Sequence, residues 1–178
     1  MERKLYGLAL FGIILASAGW NQEAAAESDS DATVLDAARK IMASAKYCGL
    51  VTLDETGEPH VRTMDPFPPD EKMTVRLGTN RMTRKIAHLR KDSRVSLYYF
   101  DPKGMGYVTI SGSARVVDDP EEKGVWWKKE WAPFYRNGHR GNDYVLIEVR
   151  ASRCEVMSKE YKVASDAMAW KPAVVVLH

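Results

Sequence analysis

Residues 47–64 read YCGLVTLDETGEPHVRTM and carry the pattern of a β-hairpin. Two short runs rich in apolar and β-branched residues, Tyr47–Leu53 and Pro59–Met64, flank the polar segment Asp54–Gly57. A polar segment that contains glycine and separates two such runs is typical of a hairpin turn. The stretch therefore predicts two antiparallel strands at the start of a sheet.

The rest of the chain continues in short strands separated by turns. These strands are predicted at Met73–Leu77, Val95–Phe100, Tyr107–Val117, Tyr144–Val149, Cys154–Met157 and Ala173–Leu177. Ser111–Ser113 places a glycine inside the longest of them, which indicates a β-bulge. Asp65–Lys72 carries several prolines and Arg136–Asn142 is rich in glycine, so both segments are predicted to be loops.

Three helices are predicted between these strands, at Ala32–Ala45, Met82–Lys91 and Pro120–Trp131. The apolar residues of the first helix recur on one face, and Ser30 or Asp31 can cap its N-terminus. Many short strands joined by hairpins, with helices between them, predict a mainly β fold. The expected architecture is an antiparallel β-barrel with helical inserts.

The N-terminus has the pattern of a secretory signal peptide. Arg3 and Lys4 precede the apolar run Leu5–Ala18, and the small residues Ala24–Ala26 follow it. The alternative is an uncleaved anchor, but the run is shorter than the roughly 20 residues that a spanning helix needs. We therefore predict a signal peptide at residues 1–26, a linker at 27–33 and a single domain at 34–178. The mature protein is expected to be exported, periplasmic or extracellular, without stable membrane insertion.

Charge and composition exclude several classes of function. A formal net charge of +2 is too small to indicate binding to nucleic acid. The histidines are scattered without the spacing of a metal site, so no metal is expected. Cys48 and Cys154 both lie in strand-like apolar runs, where either a disulfide or two buried free thiols is possible.

Residues 78–85 read GTNRMTRK and form the segment with the clearest chemistry. A strand is predicted to end there, a turn of small residues follows, and a helix begins. Unpaired N–H groups and the dipole at a helix N-terminus favour an anion such as a phosphate monoester. Arg84 and Lys85 could add positive charge, and Thr79 or Thr83 a hydroxyl donor. A solvated helix face would show the same pattern, so the chemistry alone leaves both interpretations open.

Five motifs follow one another along the chain in a recognisable order. They are Arg62-Thr63-Met64, the segment Thr79–Lys85, a helix that ends in Leu89-Arg90-Lys91-Asp92, the strand Arg94–Phe100 and the strand Tyr107–Ala114. Together they resemble the pyridoxamine 5'-phosphate oxidase-like FMN-binding split barrels, especially their general stress protein branch. The resemblance extends over about residues 35–156 and thus over nearly all of the expected mature chain.

The resemblance implies a six-stranded antiparallel Greek-key split β-barrel that forms a homodimer with FMN at the subunit interface. In such a protein Arg84 and Lys85 hold the phosphate, and the Arg-x-Met residues run along the isoalloxazine ring and the ribityl chain. Tyr107 takes the position of a glutamine that contacts flavin in the oxidases. The cofactor-binding residues implied in this way are Arg62, Thr63, Met64, Thr79, Asn80, Thr83, Arg84, Lys85 and Tyr107.

The sequence also departs from the oxidase pattern. Asp65-Pro66-Phe67 stands where the oxidases have Leu-Leu-Lys, so a phosphate-binding lysine is lost and a carboxylate is added. The C-terminal Trp and Arg pattern has no clear equivalent, and Trp170 is the only candidate for it. The pyridoxal-phosphate substrate site is therefore not expected, whereas the FMN phosphate site is.

The expected function is that of a flavin-dependent oxidoreductase whose substrate and catalytic residues the sequence does not identify. Arg62 is the candidate for positive charge near the flavin N1–O2 locus. One alternative is a flavin or haem binding or stress protein without turnover, with His139 or His178 as a haem ligand. Another is an interaction module that has lost its cofactor. Trp126, Trp127 and Trp131 are expected to pack in a core or a dimer interface.

Overall fold

The computed structural model describes residues 30–178 of the chain. The predicted signal peptide and the first part of the predicted linker lie outside this range. The helices and strands, in chain order, are α1 (Asp31–Ala45), β1 (Cys48–Leu53), β2 (Pro59–Met64), β3 (Val75–Asn80), α2 (Arg84–Lys91), β4 (Arg94–Asp101), β5 (Gly106–Val117), α3 (Pro120–Val125), β6 (Tyr144–Met157) and β7 (Ala173–Val176). Short 3-10 helices cover Lys129–Phe134 and Gly138–Arg140.

The strands form one antiparallel sheet in the order β2-β1-β4-β5-β6-β3, and β7 pairs with β6. The chain beyond β2 returns to the other edge of this sheet, because Pro66 forms an isolated bridge with Leu77 of β3. The amide of Phe67 also donates to the carbonyl of Arg76 at 2.9 Å. Within residues 30–178 the two edges therefore meet along this short contact, as in a split barrel. The predicted fold class is confirmed, with seven strands rather than six.

The hydrophobic core lies inside the curved sheet and is closed by two helices. Alternate residues of β1 and β3 point into it, which gives each strand a repeating buried and half-buried pattern. The buried face of α1, which includes Val34, Ala38 and Ile41, packs over β4 and β5. Ile86 and Leu89 lie on the buried inner face of α2, which packs against β1 and β5. No helix within residues 30–178 is long and apolar enough to cross a membrane.

Two sequence predictions at the ends of β3 and α2 were wrong. β3 covers Val75–Asn80 instead of Met73–Leu77, because Asp70–Thr74 forms a tight turn in which Met73 has a φ of 59°. Gly78–Asn80 therefore belongs to the strand and pairs with β6. The helix α2 begins at Arg84 rather than at Met82, because both the amide and the hydroxyl of Thr83 donate to the Asn80 carbonyl and close a turn there.

The third predicted helix is shorter than expected, and two predicted strands are one. α3 ends at Val125, since Trp126 adopts a non-helical conformation, and the chain continues as a 3-10 helix. Trp126, Trp127 and Trp131 pack around the fully buried Tyr144 in a second apolar cluster. The predicted packing role of the tryptophans is thus confirmed. β6 runs without a break through both predicted strands, with the expected bulge in its partner β5 between Ser111 and Gly112.

Candidate functional site

A group of cations lies at one end of the barrel, between the β1–β2 hairpin and α2. The hairpin register places Leu50 opposite Arg62 and Thr52 opposite His60. Exposure alternates along β2, so His60 and Arg62 share the face that turns towards the barrel interior. The helix α2 covers this end and adds Arg84, Lys85 and His88 from its own side. We refer to Arg62, Arg84 and Lys85 as the cation cluster.

Arg62 is held in place by a network of hydrogen bonds. Its Nη1 donates to the Thr52 hydroxyl at 2.6 Å and to the His60 carbonyl at 2.9 Å, and its Nη2 lies 3.4 Å from Nδ1 of His88. None of these partners carries a negative charge. Burial and the neighbouring Arg84 guanidinium lower the pKa of Arg62. The side chain is therefore positioned by neutral acceptors and keeps its charge available to a ligand.

Lys85 is buried although it is charged. Its side chain is only 9% exposed, and its Nζ donates to the hydroxyl of Thr79, itself buried, at 3.0 Å. Burial and the charge of Arg62 lower the pKa of Lys85, which means that the protein disfavours its charged form. Buried lysines are normally paired with a carboxylate or another anion. This one has no such partner in the described part of the chain.

Arg84 extends from α2 in a different direction from Lys85. It is exposed and lines a groove of about 360 Å³ together with Ala87, His88 and Lys91, which recur on one face of the helix, and with residues of the β1–β2 turn. Within residues 30–178, Arg84 makes no ion pair with a carboxylate. Arg84 lowers the pKa of Arg62, and Arg62 lowers the pKa of Lys85, so Arg62 lies electrostatically between the two.

The carboxylate of Asp54, which lines the groove beside Arg84, is already engaged. Asp54 accepts hydrogen bonds from the amides of Thr56 and Glu58 and from the Thr56 hydroxyl, and its other oxygen lies 3.0 Å from Nε2 of His60. The bond to His60 is the main reason why the pKa of Asp54 lies well below its usual value. The cations of the cluster therefore remain in excess over nearby free carboxylates.

The N-terminus of α2 adds hydrogen-bond donors to the cluster. Thr83 occupies the cap position, but its hydroxyl donates to the Asn80 carbonyl at 2.8 Å and does not cap the helix. The side chain of Asn80 accepts from the amide of Met82 at 2.8 Å. The first amides of the helix thus have no side-chain cap, and the helix dipole favours an anion beside them.

Arg62 and Thr52 together determine which nitrogen of His88 carries the proton. Arg62 can only donate, and its Nη2 lies 3.4 Å from Nδ1 of His88, so this nitrogen is an acceptor and the Thr52 hydroxyl, 2.9 Å away, donates to it as well. Nδ1 is therefore the acceptor, and Nε2 of the neutral ring carries the hydrogen. Burial is the main cause that lowers the pKa of His88, and Arg62 and His60 lower it further.

The predicted site residues divide into two groups. The structure brings together Arg62, Thr79, Asn80, Thr83, Arg84 and Lys85. Thr63 is exposed on the outward face of β2, opposite Gly49, and Met64 is buried in the core. Tyr107 lies near the start of β5. Arg94, which follows the end of α2, pairs with Ser113 near the other end of the same strand. Tyr107 is therefore far from the cation cluster within one chain.

Asp65 does not reach the cation cluster. Its carboxylate binds Nζ of Lys128 at 2.6 Å and Nε1 of Trp131 at 3.0 Å, on the side of the barrel where the tryptophans pack. The added carboxylate that distinguishes this sequence from the oxidase pattern is thus neutralised locally. Gly78 is needed on this side as well, because an added Cβ would lie 2.2 Å from the Trp131 ring.

Sequence reasoning did not assign Thr52, His60 and His88 to the site. Two features of the sequence could have indicated them. His88 follows Arg84 by four residues, so both lie on one helix face, and Thr52 and His60 occupy facing positions of a hairpin. The contact between Thr52 and His88, by contrast, forms only because α2 docks on β1, and no local sequence pattern predicts this docking.

The two cysteines and His139, which the sequence left open as functional candidates, are packed among other side chains of the fold. Cys48 and Cys154 are free, buried thiols, and burial raises the pKa of each to about 12. His139 packs beside the Trp127 ring, with ring centroids 6.1 Å apart. Within the described range, no group of His, Cys, Asp and Glu side chains has the arrangement of a metal site.

The chain belongs to the pyridoxamine 5'-phosphate oxidase-like family. Residues 34–158 match the family model described as Pyridoxamine 5'-phosphate oxidase, which confirms the resemblance seen in the sequence. A comparison with curated protein sequences found no significant match.

Solved structures with this fold include proteins of different binding properties. A protein related to general stress protein 26, from Clostridium acetobutylicum, is 20% identical with a TM-score of 0.69, over 82% of this chain and 96% of its own. A pyridoxamine 5'-phosphate oxidase-related, FMN binding protein from Nostoc punctiforme is 13% identical with a TM-score of 0.60, over 86% and 98%. A heme binding protein from Mycobacterium smegmatis is 21% identical with a TM-score of 0.56, over 70% and 53%.

Proposed function

We propose that this protein binds FMN and that the cation cluster holds the terminal phosphate of the cofactor. The observation that carries this proposal is the burial of Lys85 beside Arg62 without a carboxylate partner. A buried, unpaired ammonium group is costly, and a phosphate dianion removes that cost by pairing with it. The family supports FMN over other anions, because an FMN binding protein shares the fold.

Each side chain of the cluster has a distinct role in this proposal. Lys85 approaches the phosphate from the barrel side and Arg84 from the groove, while Arg62 lies between them and is oriented by Thr52. The uncapped amides of α2 supply further donors. Bound FMN would provide the redox chemistry, and the protein would orient the ring and place charge near it.

We further propose that the protein is a flavin-dependent oxidoreductase that works as a homodimer. The outward face of β2, β1, β4 and β5 exposes large apolar side chains: Val61 is 69%, Tyr98 46% and Phe100 42% exposed. Phe100 and Tyr107 are opposite each other in the sheet, so Tyr107 belongs to the same face. A contiguous exposed apolar face of this kind is typical of a protein–protein interface. Pairing through it would cover these residues.

The first experiment is an absorption spectrum of the protein as isolated, with mass spectrometry of the released cofactor. The two-band flavin spectrum and the mass of FMN are expected. A Soret band would instead support the haem-binding alternative, and a colourless protein that ignores added FMN would leave only an interaction module.

The phosphate site itself is tested by comparing FMN with riboflavin, which lacks the phosphate. We expect FMN to bind at least about tenfold more tightly, because charge-assisted hydrogen bonds contribute roughly 1.5–3 kcal/mol each. The Arg84→Ala/Lys85→Ala variant should lose this preference and keep the affinity for riboflavin. If the variant still prefers FMN as strongly as the wild type, the phosphate lies elsewhere.

We also propose that the protein is exported after cleavage behind Ala26, from the order of basic, apolar and small residues at the N-terminus. An exported chain of this kind would acquire FMN after crossing the membrane. N-terminal sequencing of the protein from fractionated cells tests this proposal. A cytoplasmic protein that begins at Met1 would contradict it.

A further inference from the structure

A second cavity lies away from the cation cluster. It has a volume of about 700 Å³ and is formed by the C-terminal half of α1, the proline-rich loop after β2 and the segment that carries Lys128. This volume is in the range of cavities that bind small molecules. The cavity shares no lining residue with the groove beside Arg84.

Flat and apolar side chains form much of its wall. Tyr47 and Phe67 contribute aromatic rings, and Pro66, Pro68 and Pro69 contribute rigid rings from the loop. Met42 of α1 reaches the cavity from the core. Such a lining favours a planar or aromatic ligand, because the walls can contact its two faces without a loss of side-chain freedom.

The charges at the cavity are not balanced. Lys128 is neutralised by Asp65, at 2.6 Å, and also donates to the Pro66 carbonyl at 2.9 Å. Arg39 donates to the Glu71 backbone carbonyl, and Lys46 lies over the Tyr47 ring, 5.2 Å from its centroid. In the described part of the molecule neither of these two cations has a carboxylate partner. Glu130 offsets one of them, so the lining retains one positive charge.

A buried hydroxyl group at the cavity has no nitrogen or oxygen partner. Tyr99 contributes to the lining although its side chain is only 1% exposed, and its hydroxyl makes no hydrogen bond to a nitrogen or oxygen of another described residue. Burial raises the pKa of Tyr99, and the Cys48 thiol, a weak hydrogen-bonding group beside the hydroxyl, adds to the effect. A ligand that offers an oxygen acceptor would give this buried hydroxyl a stronger partner than the thiol.

We propose that this cavity binds a small aromatic ligand with a single negative charge, such as an aromatic carboxylate. The flat walls take the aromatic body, Arg39 and Lys46 attract the anionic group, and the Tyr99 hydroxyl donates to a ligand oxygen. This proposal does not rest on the proposed FMN site, because the two sites use different residues.

The test measures binding of 2-naphthoate to the purified, full mature protein by titration calorimetry, with neutral 2-naphthol for comparison. We expect saturable binding of 2-naphthoate, at least about tenfold tighter than that of 2-naphthol. Lys46→Glu should abolish the preference for the anion, and Ala43→Trp, which adds bulk to the lining, should weaken binding at least about tenfold. Lys103→Glu, at an exposed position outside the cavity, is the matched control and should change nothing.

Tyr99→Phe separates a ligand contact from a structural role. Because the hydroxyl has only the weak Cys48 thiol beside it, its removal should leave the melting temperature close to that of the wild type, while the affinity for 2-naphthoate falls at least about threefold. A lower melting temperature with unchanged affinity would assign Tyr99 to folding alone and contradict the proposal. So would unchanged binding in both Lys46→Glu and Ala43→Trp.

The last measurement repeats the titration in the presence of saturating FMN. Two independent sites predict that 2-naphthoate still binds with the same affinity. If FMN displaces 2-naphthoate, the cavity is part of the flavin site and the proposal of a separate ligand is overturned. If FMN does not bind at all, the proposed function fails while the naphthoate result still stands by itself.

Discussion

The ammonium group of Lys85 lies 3.0 Å from the hydroxyl oxygen of Thr79 and is buried between α2 and β3. This contact connects the first and the last residue of the motif Thr79–Lys85, which is expected to surround the phosphate. It also leaves the positive charge of Lys85, at this end of the barrel, with the neutral Thr79 hydroxyl as its partner. The free protein therefore holds Lys85 at a cost that a bound anion would remove.

The first prediction follows from this cost. Lys85→Met removes the buried charge and keeps most of the volume, so the melting temperature of the cofactor-free protein should stay the same or rise. FMN affinity should fall at least about tenfold, because a charge-assisted phosphate contact is lost. Thermal denaturation and a fluorescence titration with FMN measure the two effects.

Lys40→Met serves as the matched control. Lys40 forms an exposed i,i+4 ion pair with Asp36 at 2.7 Å, which contributes little to stability. Both measurements should therefore stay close to the wild type. A Lys85→Met protein that is less stable but binds FMN normally would show that Lys85 has only a structural role.

The second prediction concerns the pH dependence of stability through His88. Its pKa in the folded protein lies below the usual 6.5, mainly because of burial, with Arg62, His60 and Arg84 acting in the same direction and Asp54 against it. As the pH falls, the unfolded chain therefore takes up the proton first. Neutral His88 therefore contributes to the free energy of unfolding at a pH above the pKa of histidine in the unfolded chain. This contribution is lost as the pH falls through the lower pKa of His88 in the folded protein.

Urea denaturation of the cofactor-free protein at about pH 7 and about pH 5 measures this effect. The His88→Gln variant should lose less stability than the wild type over this interval, because glutamine does not titrate. His178→Gln at the exposed C-terminus is the control and should behave like the wild type. An equal loss in wild type and His88→Gln would show that other groups set the pH dependence.

The sequence predicted most of the fold because the hairpin signals are local. The turn at Asp54–Gly57 and the alternation in Pro59–Met64 give β1 and β2 with their correct pairing. The end of β3 was missed for a physical reason. Gly78 and Asn80 have weak strand propensity, and they are held in the strand by pairing with β6, about seventy residues later in the chain.

The candidate site shows the same division between local and distant information. Arg84 and Lys85 could be found because a helix start is visible in the sequence. The direction of each side chain could not, since it depends on α2 docking on the hairpin, where Lys85 meets Thr79 and His88 meets Thr52. The neutralisation of Asp65 by Lys128 likewise joins residues that are far apart in the chain.

The third prediction tests the outward apolar face of the sheet. Tyr98→Asp and Phe100→Asp place charges on exposed positions of β4, so they should convert a dimer into a monomer without unfolding it. Size-exclusion chromatography with light scattering measures the molecular mass. Phe134→Asp is the control, because Phe134 is 74% exposed and lies outside this strand face. If the wild type is a monomer, or if the β4 variants remain dimeric, this face is not the interface.

The last prediction concerns the bulge in β5, which sets how the long strands cross. An added Cβ at Gly112 would lie 2.0 Å from the backbone carbonyl oxygen of Arg150 on the paired strand, and backbone cannot move aside as a flexible side chain can. Gly112→Ala should therefore reduce the free energy of unfolding by roughly 2 kcal/mol or more. Denaturation in urea measures the loss.

Gly124→Ala is the opposite case and acts as the control for Gly112→Ala. Gly124 lies in α3, and an added Cβ there would meet only the His139 side chain, at 3.5 Å, which is ordinary contact. Alanine favours the helix over glycine, so this variant should be more stable by up to about 1 kcal/mol. If Gly112→Ala were as stable as Gly124→Ala, the strands would have to separate at the bulge at little cost. The close approach of β5 and β6 would then not be what requires glycine at position 112.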